Sequence, residues 1–222
     1  MTIRTFIAFW ACLLVAGAAS ALETKGRREI DVRVNYARNQ TSAIEASYMI
    51  EASPQIAWAV IHDQEGMSEY VPRILYSRYI SQKAAEQIIA SKALSFEHVL
   101  EIVKEDPNTK ERLYVLQQFN FPWPLSNRWV LMKFAEESRP TKGIFSRSYQ
   151  MVAGNLKTAE GGWHVQPDDD NPNYSRVLYR NLSDPGFQIP AFIGKPASRK
   201  TTREILEAVR NRAETMARRI AN

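Results

Sequence analysis

Ile50-Glu51-Ala52-Ser53-Pro54-Gln55-Ile56-Ala57-Trp58-Ala59-Val60-Ile61-His62-Asp63 is the stretch on which the reading of this 222-residue chain turns. Up to Ile50 the apolar residues alternate, Ile44, Ala46, Tyr48 and Ile50 against Glu45, Ser47 and Glu51, the period of a half-buried strand. At Ser53-Pro54 the period changes. The Ser53 hydroxyl suits an N-cap because it can accept a first-turn N–H, and Pro54 suits the first helical position, where its missing N–H costs nothing. Ile56, Val60 and the flanking Ala57 and Ile61 then give a short helix an apolar face that ends near His62-Asp63.

Working outward, Ile30, Val32, Val34 and Tyr36 alternate with polar neighbours, so a strand over 29–36 precedes the one ending at Ile50. After a loop through Gly66 and Pro72, residues 74–80 read as a strand and Ser81 caps a short helix over 82–90. Phe96, His98, Leu100 and Ile102 alternate with Glu97, Val99, Glu101 and Val103, which predicts a strand over 96–103 with His98 on its apolar face. Further strands are predicted at 112–121, 128–136, 144–152, 162–166 and 176–182, separated by Pro124, Pro140 to Gly143, Gly161 and the polar loop from Asp168 to Asn173. From about Pro196 the spacing shifts to three and four, with Leu206, Val209, Ala213, Met216 and Ile220 on one side and Thr201-x-x-Glu204 as an internal capping box. The expected fold is α+β: a curved antiparallel sheet wrapped around a long C-terminal helix, with a tunnel between them unless side chains fill it.

Composition narrows the function classes. Hydrophobic residues make up 45% of the chain, enough for a sizeable core. The formal charge of +5 arises from 29 basic against 24 acidic residues, too mild an excess for a nucleic-acid binder. At the N-terminus, Arg4, an uncharged apolar run over 6–18 and Ala19-Ser20-Ala21 read as a signal peptide over 1–21, leaving one domain over 22–222 that is periplasmic or secreted. An uncleaved anchor is the competing reading, but the run is shorter than the roughly 20 residues that span a bilayer. The single cysteine, Cys12, lies in the segment to be removed, which excludes disulfides and thiolate chemistry from the mature chain.

The residues quoted at the outset resemble the opening of START-related and polyketide-cyclase-like proteins, a strand followed by a helix ending in aspartate. Phe121-Pro122-Trp123-Pro124-Leu125-Ser126-Asn127-Arg128 is similar to the proline-rich turn of START lipid-transfer domains. Gly162-Trp163, Ser175-Arg176-Val177-Leu178-Tyr179 and Asp184-Pro185-Gly186-Phe187-Gln188-Ile189-Pro190 resemble the final hairpin and its proline exit into the last helix. The resemblance runs over about 30–217 and implies the helix-grip fold of that superfamily and an apolar cavity, with its occupant left open.

Strand parity places Trp163 with Val165, Val177 with Tyr179, Phe145 with Tyr149 and Met151, and Arg128 with Val130, Met132 and Phe134 on faces that should look inward. An arginine on such a face must pair with an internal acid or meet an anionic headgroup or a ligand carbonyl, and Arg128 is that case. The candidate ligand contacts are thus His98, Arg128, Met132, Tyr149, Trp163 and Tyr179. To these the segment entering the last helix adds Phe187 and Phe192 as a gate, and the last helix adds Leu206 and Val209; ordinary core packing explains most of the same residues. No nucleophile elbow, S-x-x-K motif, phosphate loop or metal spacing occurs around the three histidines, and Asp168-Asp169-Asp170-Asn171 reads as a solvated turn rather than a calcium loop.

The function expected is a monomeric, cofactor-free carrier of a lipid or another hydrophobic small molecule. The basic residues of the last helix, from Lys195 to Arg219, touch an anionic membrane surface transiently, or form a solvated face with i,i+4 pairs. The rival is a cyclase or hydratase using His98, Arg128, Tyr149 or Tyr179 as acid or base in the same cavity, and a third reading is a solid interaction module.

Overall fold

The computed structural model describes residues 29–36, 41–93, 95–107, 111–121 and 127–221. The signal-peptide segment and residues 122–126 of the proline-rich turn lie outside them. Strands β1 (Asp31–Tyr36) and β2 (Ser42–Ile50) are followed by helices α1 (Pro54–His62) and α2 (Met67–Tyr70), strand β3 (Ile74–Ile80), and helices α3 (Gln82–Ser91) and α4 (Phe96–Lys104). Strands β4 (Tyr114–Phe119), β5 (Arg128–Arg139), β6 (Ile144–Gly154), β7 (Thr158–Pro167) and β8 (Ser175–Asp184) then lead into α5 (Ala191–Ala221). The Ser53 hydroxyl accepts from the Ile56 N–H at 3.4 Å with Pro54 opening the helix, as the sequence requires.

All eight strands form one antiparallel sheet in the order β1-β2-β8-β7-β6-β5-β4-β3, the helix-grip arrangement. Its inner face meets α5 along the β1–β2 arm, where Leu206, Val209 and Ala213 are fully buried in one cluster with Val32, Ile44, Tyr48, Trp163 and Val177. Burying Leu206 and Val209 contributes on the order of 2 kcal/mol each. The space between helix and sheet is therefore solid here. At the other arm the sheet is covered on both sides. Trp129 and Leu131 of β5 pack outward against Ile88 of α3 and Val99 of α4, while Val130, Met132 and Phe134 pack inward with Tyr79 and Val115.

Three expectations are corrected. Residues 96–103 form helix α4, not a strand: Ser95 Oγ accepts from the His98 N–H at 3.3 Å, and Phe96, Val99 and Val103 form the buried stripe. The last helix begins at Ala191 and runs through Pro196, so Thr201-x-x-Glu204 lies in its interior and caps nothing. Asp168 is not solvated, since its buried carboxylate receives Arg176 at 3.1 Å.

Candidate functional site on the inner face

Across the middle of the inner face, Tyr149 of β6, Gly161 of β7 and Asn181 of β8 stand in one cross-strand row. A side chain at Gly161 would collide with the Arg180 carbonyl and the Tyr149 hydroxyl, its Cβ falling 2.7 Å from the latter. With only hydrogen there, the Tyr149 ring crosses β7 and donates its hydroxyl to Asn181 Oδ1 at 2.8 Å. Asn181 Nδ2 in turn donates to Ser183 Oγ at 3.2 Å. One row away Trp163 and Tyr179 pair directly, their ring centroids 4.5 Å apart. Tyr149 and Tyr179 are half-buried, yet burial pushes both phenols up, and the neighbouring Tyr179 hydroxyl raises Tyr149 further. Phe119, Met151 and Leu156 are likewise half-buried beside the Val130, Met132 and Phe134 cluster.

Below this row sits a charged cluster that strand parity did not single out. Arg147 shares the Phe145, Tyr149 and Met151 face and is only 1% exposed. Its Nη1 donates to the Tyr79 hydroxyl at 2.9 Å and its Nη2 to the Arg112 carbonyl at 2.9 Å, while Nε lies 3.1 Å from Glu136 Oε1. The guanidinium also lies 3.8 Å from the Phe134 ring centroid. His62, at the end of α1, approaches the same Glu136 oxygen through Nε2 at 3.1 Å. Burial first, then Arg147, holds its imidazole below the ordinary value, against the opposing Glu136. Periodicity alone could have found Arg147, because it lies two residues from both Phe145 and Tyr149.

At the opposite end of β5, Arg128 lies over the Phe187 ring at 5.2 Å. The segment carrying Phe187 is anchored by Asp184, whose carboxylate accepts from the Gly186 N–H at 2.9 Å and meets Lys157 Nζ at 3.1 Å. Those two contacts, the N–H foremost, hold the Asp184 carboxyl below the usual range. The first turn of α5 then presents Phe192, 78% exposed, and Ile193, 53% exposed, ahead of the exposed Lys195, Arg199 and Lys200.

The structure thus brings Tyr149, Trp163, Tyr179 and Met132 together on the inner face and sets Arg128 with Phe187 at its rim. Phe192 points outward, and Leu206 and Val209 lie in the solid core under α5. His98 is corrected: it is an exposed residue of α4, outside the sheet and away from the inner face. A hollow of about 810 Å³ lies on the outer face of β5 to β8 and β2, not under α5. It is open to solvent, and Glu45, Glu137, Ser146, His164 and Arg180 are among its lining residues, with Tyr149, Trp163 and Asn181 also at its wall. Among the described residues no cluster of three or more His, Cys, Asp or Glu side chains could hold a metal ion.

The fold and this inner face define a START-like helix-grip protein. A family model described as polyketide cyclase / dehydrase and lipid transport matches residues 50–210, and the chain belongs to that family. Among solved structures it is similar to the STAR-related lipid transfer protein of Xanthomonas axonopodis, at 16% identity and a TM-score of 0.56, over 83% of this chain and 98% of the other. It is also similar to the lipid transfer and protein localization domain of human StarD13, at 12% identity and a TM-score of 0.52, over 90% and 95%. A START superfamily protein of Mycobacterium smegmatis matches at 11% identity and a TM-score of 0.51, over 80% and 98%. At these identities the structural likeness speaks for the fold. No curated protein matches the sequence significantly.

Proposed function

We propose that this chain binds a hydrophobic small molecule, a lipid foremost, in a recess on the inner face of β5 to β8, and carries it without a chemical step. The observation that carries the reading is the combination at Tyr149 and Tyr179. Both rings keep accessible surface, yet protein surrounds them closely enough to push their phenols up. Half-buried phenol rings among apolar neighbours are surface that a hydrophobic ligand can cover. Met151, Phe119 and Leu156, half-buried in an otherwise tightly packed interior, supply apolar wall. Family membership and the lipid-transfer names of the structural relatives support the same occupant.

Transport fits the energetics. Burying an acyl chain gains about 0.8 kcal/mol per methylene relative to water but almost nothing relative to a bilayer, so loading and release are reversible. Exchange proceeds at the Phe187 to Phe192 segment, where exposed Phe192 and Ile193 enter a membrane and the following lysine and arginines meet anionic headgroups. The protein works as an exported monomer, one domain over 22–222, in the periplasm or outside the cell; the intact mass of protein recovered from an expressing cell should lack residues 1–21.

Native mass spectrometry of the purified mature protein, with extraction of the bound material, tests the carrier reading. A lipid-sized adduct that extracts unchanged is the expected result. Protein that emerges clean and takes up nothing from phospholipid vesicles would overturn it. The family description also names cyclases and dehydrases, and the Tyr149, Asn181 and Tyr179 hydrogen-bonding groups give an enzyme reading a foothold. Conversion of the extracted compound on return to the protein would favour the enzyme.

A further inference from the structure

Large apolar side chains left in water are few in this fold, and they are not scattered. Of the seven that the described residues leave exposed, four stand at the two ends of α5: Phe192 and Ile193 in its first turn, Met216 and Ile220 in its last two. The first pair belongs to the exchange end described above. The second pair continues, at spacings of three and four, the stripe by which the helix grips the sheet. Leu206, Val209 and Ala213 on that stripe are fully buried, yet Met216 is 40% exposed and Ile220 65% exposed. Cover falls away beyond Glu214, whose carboxylate accepts from the Glu51 N–H, just past the end of β2, at 3.2 Å.

Charge divides in the same way. Lys195, Arg199 and Lys200 are exposed behind the first pair, and Arg212, Arg218 and Arg219 are exposed around the second. From Arg210 to Ala221 the only acid is Glu214, which is buried and engaged by Glu51. The helix dipole accounts for arginines in a last turn, but not for a methionine and an isoleucine left in water among them. An apolar pair ringed by cations is the composition that enters the interface of an anionic bilayer. A second copy of the same helix end is the poorer partner, because it would set arginines against arginines.

We propose that the C-terminal end of α5, Met216 and Ile220 with Arg212, Arg218 and Arg219, is a second membrane-contact surface that takes an anionic bilayer, so that one molecule joins two bilayers. The proposal rests on the reading that the Phe192 end engages a membrane, and it adds a contact at the far end of the same helix. Phe192 and Ile220 are about 40 Å apart along the axis, at about 1.5 Å per residue. That is several Debye lengths at physiological salt, so the cations of one end do not serve a surface held by the other. A single bilayer laid along the helix does not reach both pairs either, since Met216 and Ile220 continue the stripe that faces the sheet, and the sheet occupies that side.

Dynamic light scattering of phosphatidylglycerol vesicles, mixed with wild-type protein at a low ratio of protein to lipid, reads the bridge. The apparent vesicle diameter should rise at least about twofold and return when salt screens the cations, while phosphatidylcholine vesicles stay dispersed. Met216→Ala with Ile220→Ala should abolish the clustering, yet keep binding to single vesicles, measured by flotation, within about threefold of wild type through the Phe192 end. Arg218→Gln with Arg219→Gln should do the same, and all four side chains are exposed, so both variants keep the fold. Wild-type protein that floats with vesicles without clustering them, or clustering that survives both double substitutions, would sink the second surface and leave the exchange end standing. So would a dimeric mass in the same buffer, because one contact on each copy then suffices to cluster vesicles. Protein that fails to float at all removes both membrane contacts together, while a lipid adduct in native mass spectrometry would still stand for the inner site.

Discussion

Glu136 of β5 and Arg147 of β6 are direct cross-strand partners, and the arginine gives up its water entirely while the glutamate keeps about a third of its surface, with 3.1 Å between Oε1 and Nε. This asymmetry decides which substitution hurts. Glu136→Ala leaves a guanidinium buried without its counter-charge and should cost about 3 kcal/mol or more. Arg147→Met fills most of the same volume with an apolar chain and returns Glu136 to solvent, so it should cost less than half as much, its main penalty being the lost donors to Tyr79 and Arg112. Urea denaturation of the two variants checks the order, and a larger loss in Arg147→Met would show that the pair is dispensable to the arginine.

His62 reports on the same cluster through pH. Its folded pKa is held below the ordinary 6.5, by burial and by Arg147 and Arg112 against Glu136. Between the folded and unfolded values the unfolded chain binds more protons, so stability rises with pH there. The contribution is intact above about pH 6.5 and is lost as pH falls toward and through the depressed folded value. Urea midpoints taken between about pH 7 and about pH 5 should decline on acidification, and less steeply in His62→Gln. An equal slope in both proteins would assign the decline to carboxylates instead.

Gly161 is fixed by space, not by backbone torsion. Its absent Cβ would fall 2.2 Å from the Arg180 carbonyl oxygen, which is sheet backbone and cannot swing aside. Gly161→Ala must therefore push β7 from β8 and lift Tyr149 off Asn181, at a cost of about 2 to 3 kcal/mol. The hydrogen bond from Tyr149 to Asn181 should break before any other, and urea denaturation of Gly161→Ala beside wild type checks the cost. A Gly161→Ala protein of unchanged stability would mean the strands have slack that this packing denies.

How much of this is written in the sequence depends on the length of the pattern. The Ser53-Pro54 boundary and the strands from 128 to 182 are legible because an N-cap chemistry or a long alternation leaves one period standing. Phe96 to Val103 carries two periods at once, Phe96, Leu100 and Ile102 for a strand and Phe96, Val99 and Val103 for a helix, and eight residues cannot separate them. Ser95 before Glu97 is the deciding mark: a capping hydroxyl with an acid in the first turn favours the helix. With that change His98 leaves the site. Tyr149, Trp163 and Tyr179 follow from parity, but their hydrogen-bonding row does not. It depends on Gly161 standing between Tyr149 and Asn181, a register that no local pattern encodes. The packing of Leu206 and Val209 into solid core is equally beyond spacing, since an amphipathic stripe says which side is buried and not whether the opposite wall is touching.

The exposed start of α5 is the place to test delivery. Phe192 and Ile193 are large apolar side chains left in water by the fold, and the exposed Lys195, Arg199 and Lys200 follow within two turns. Inserting one such aromatic ring into a bilayer gains about 2 kcal/mol, so replacing both residues should raise the barrier to membrane engagement enough to slow transfer at least about tenfold. Phe192 and Ile193 lie mostly in solvent, so the double variant Phe192→Ala with Ile193→Ala should keep its equilibrium affinity for a fluorescent lipid within about twofold of wild type. Transfer of a fluorescent lipid to phosphatidylglycerol vesicles should also slow as salt screens the basic turn, whereas transfer to neutral phosphatidylcholine vesicles should be nearly insensitive to salt. Rates unchanged by the double substitution and by vesicle charge would place exchange elsewhere on the molecule, and binding that falls together with rate would show that these two side chains belong to the site rather than to its exit.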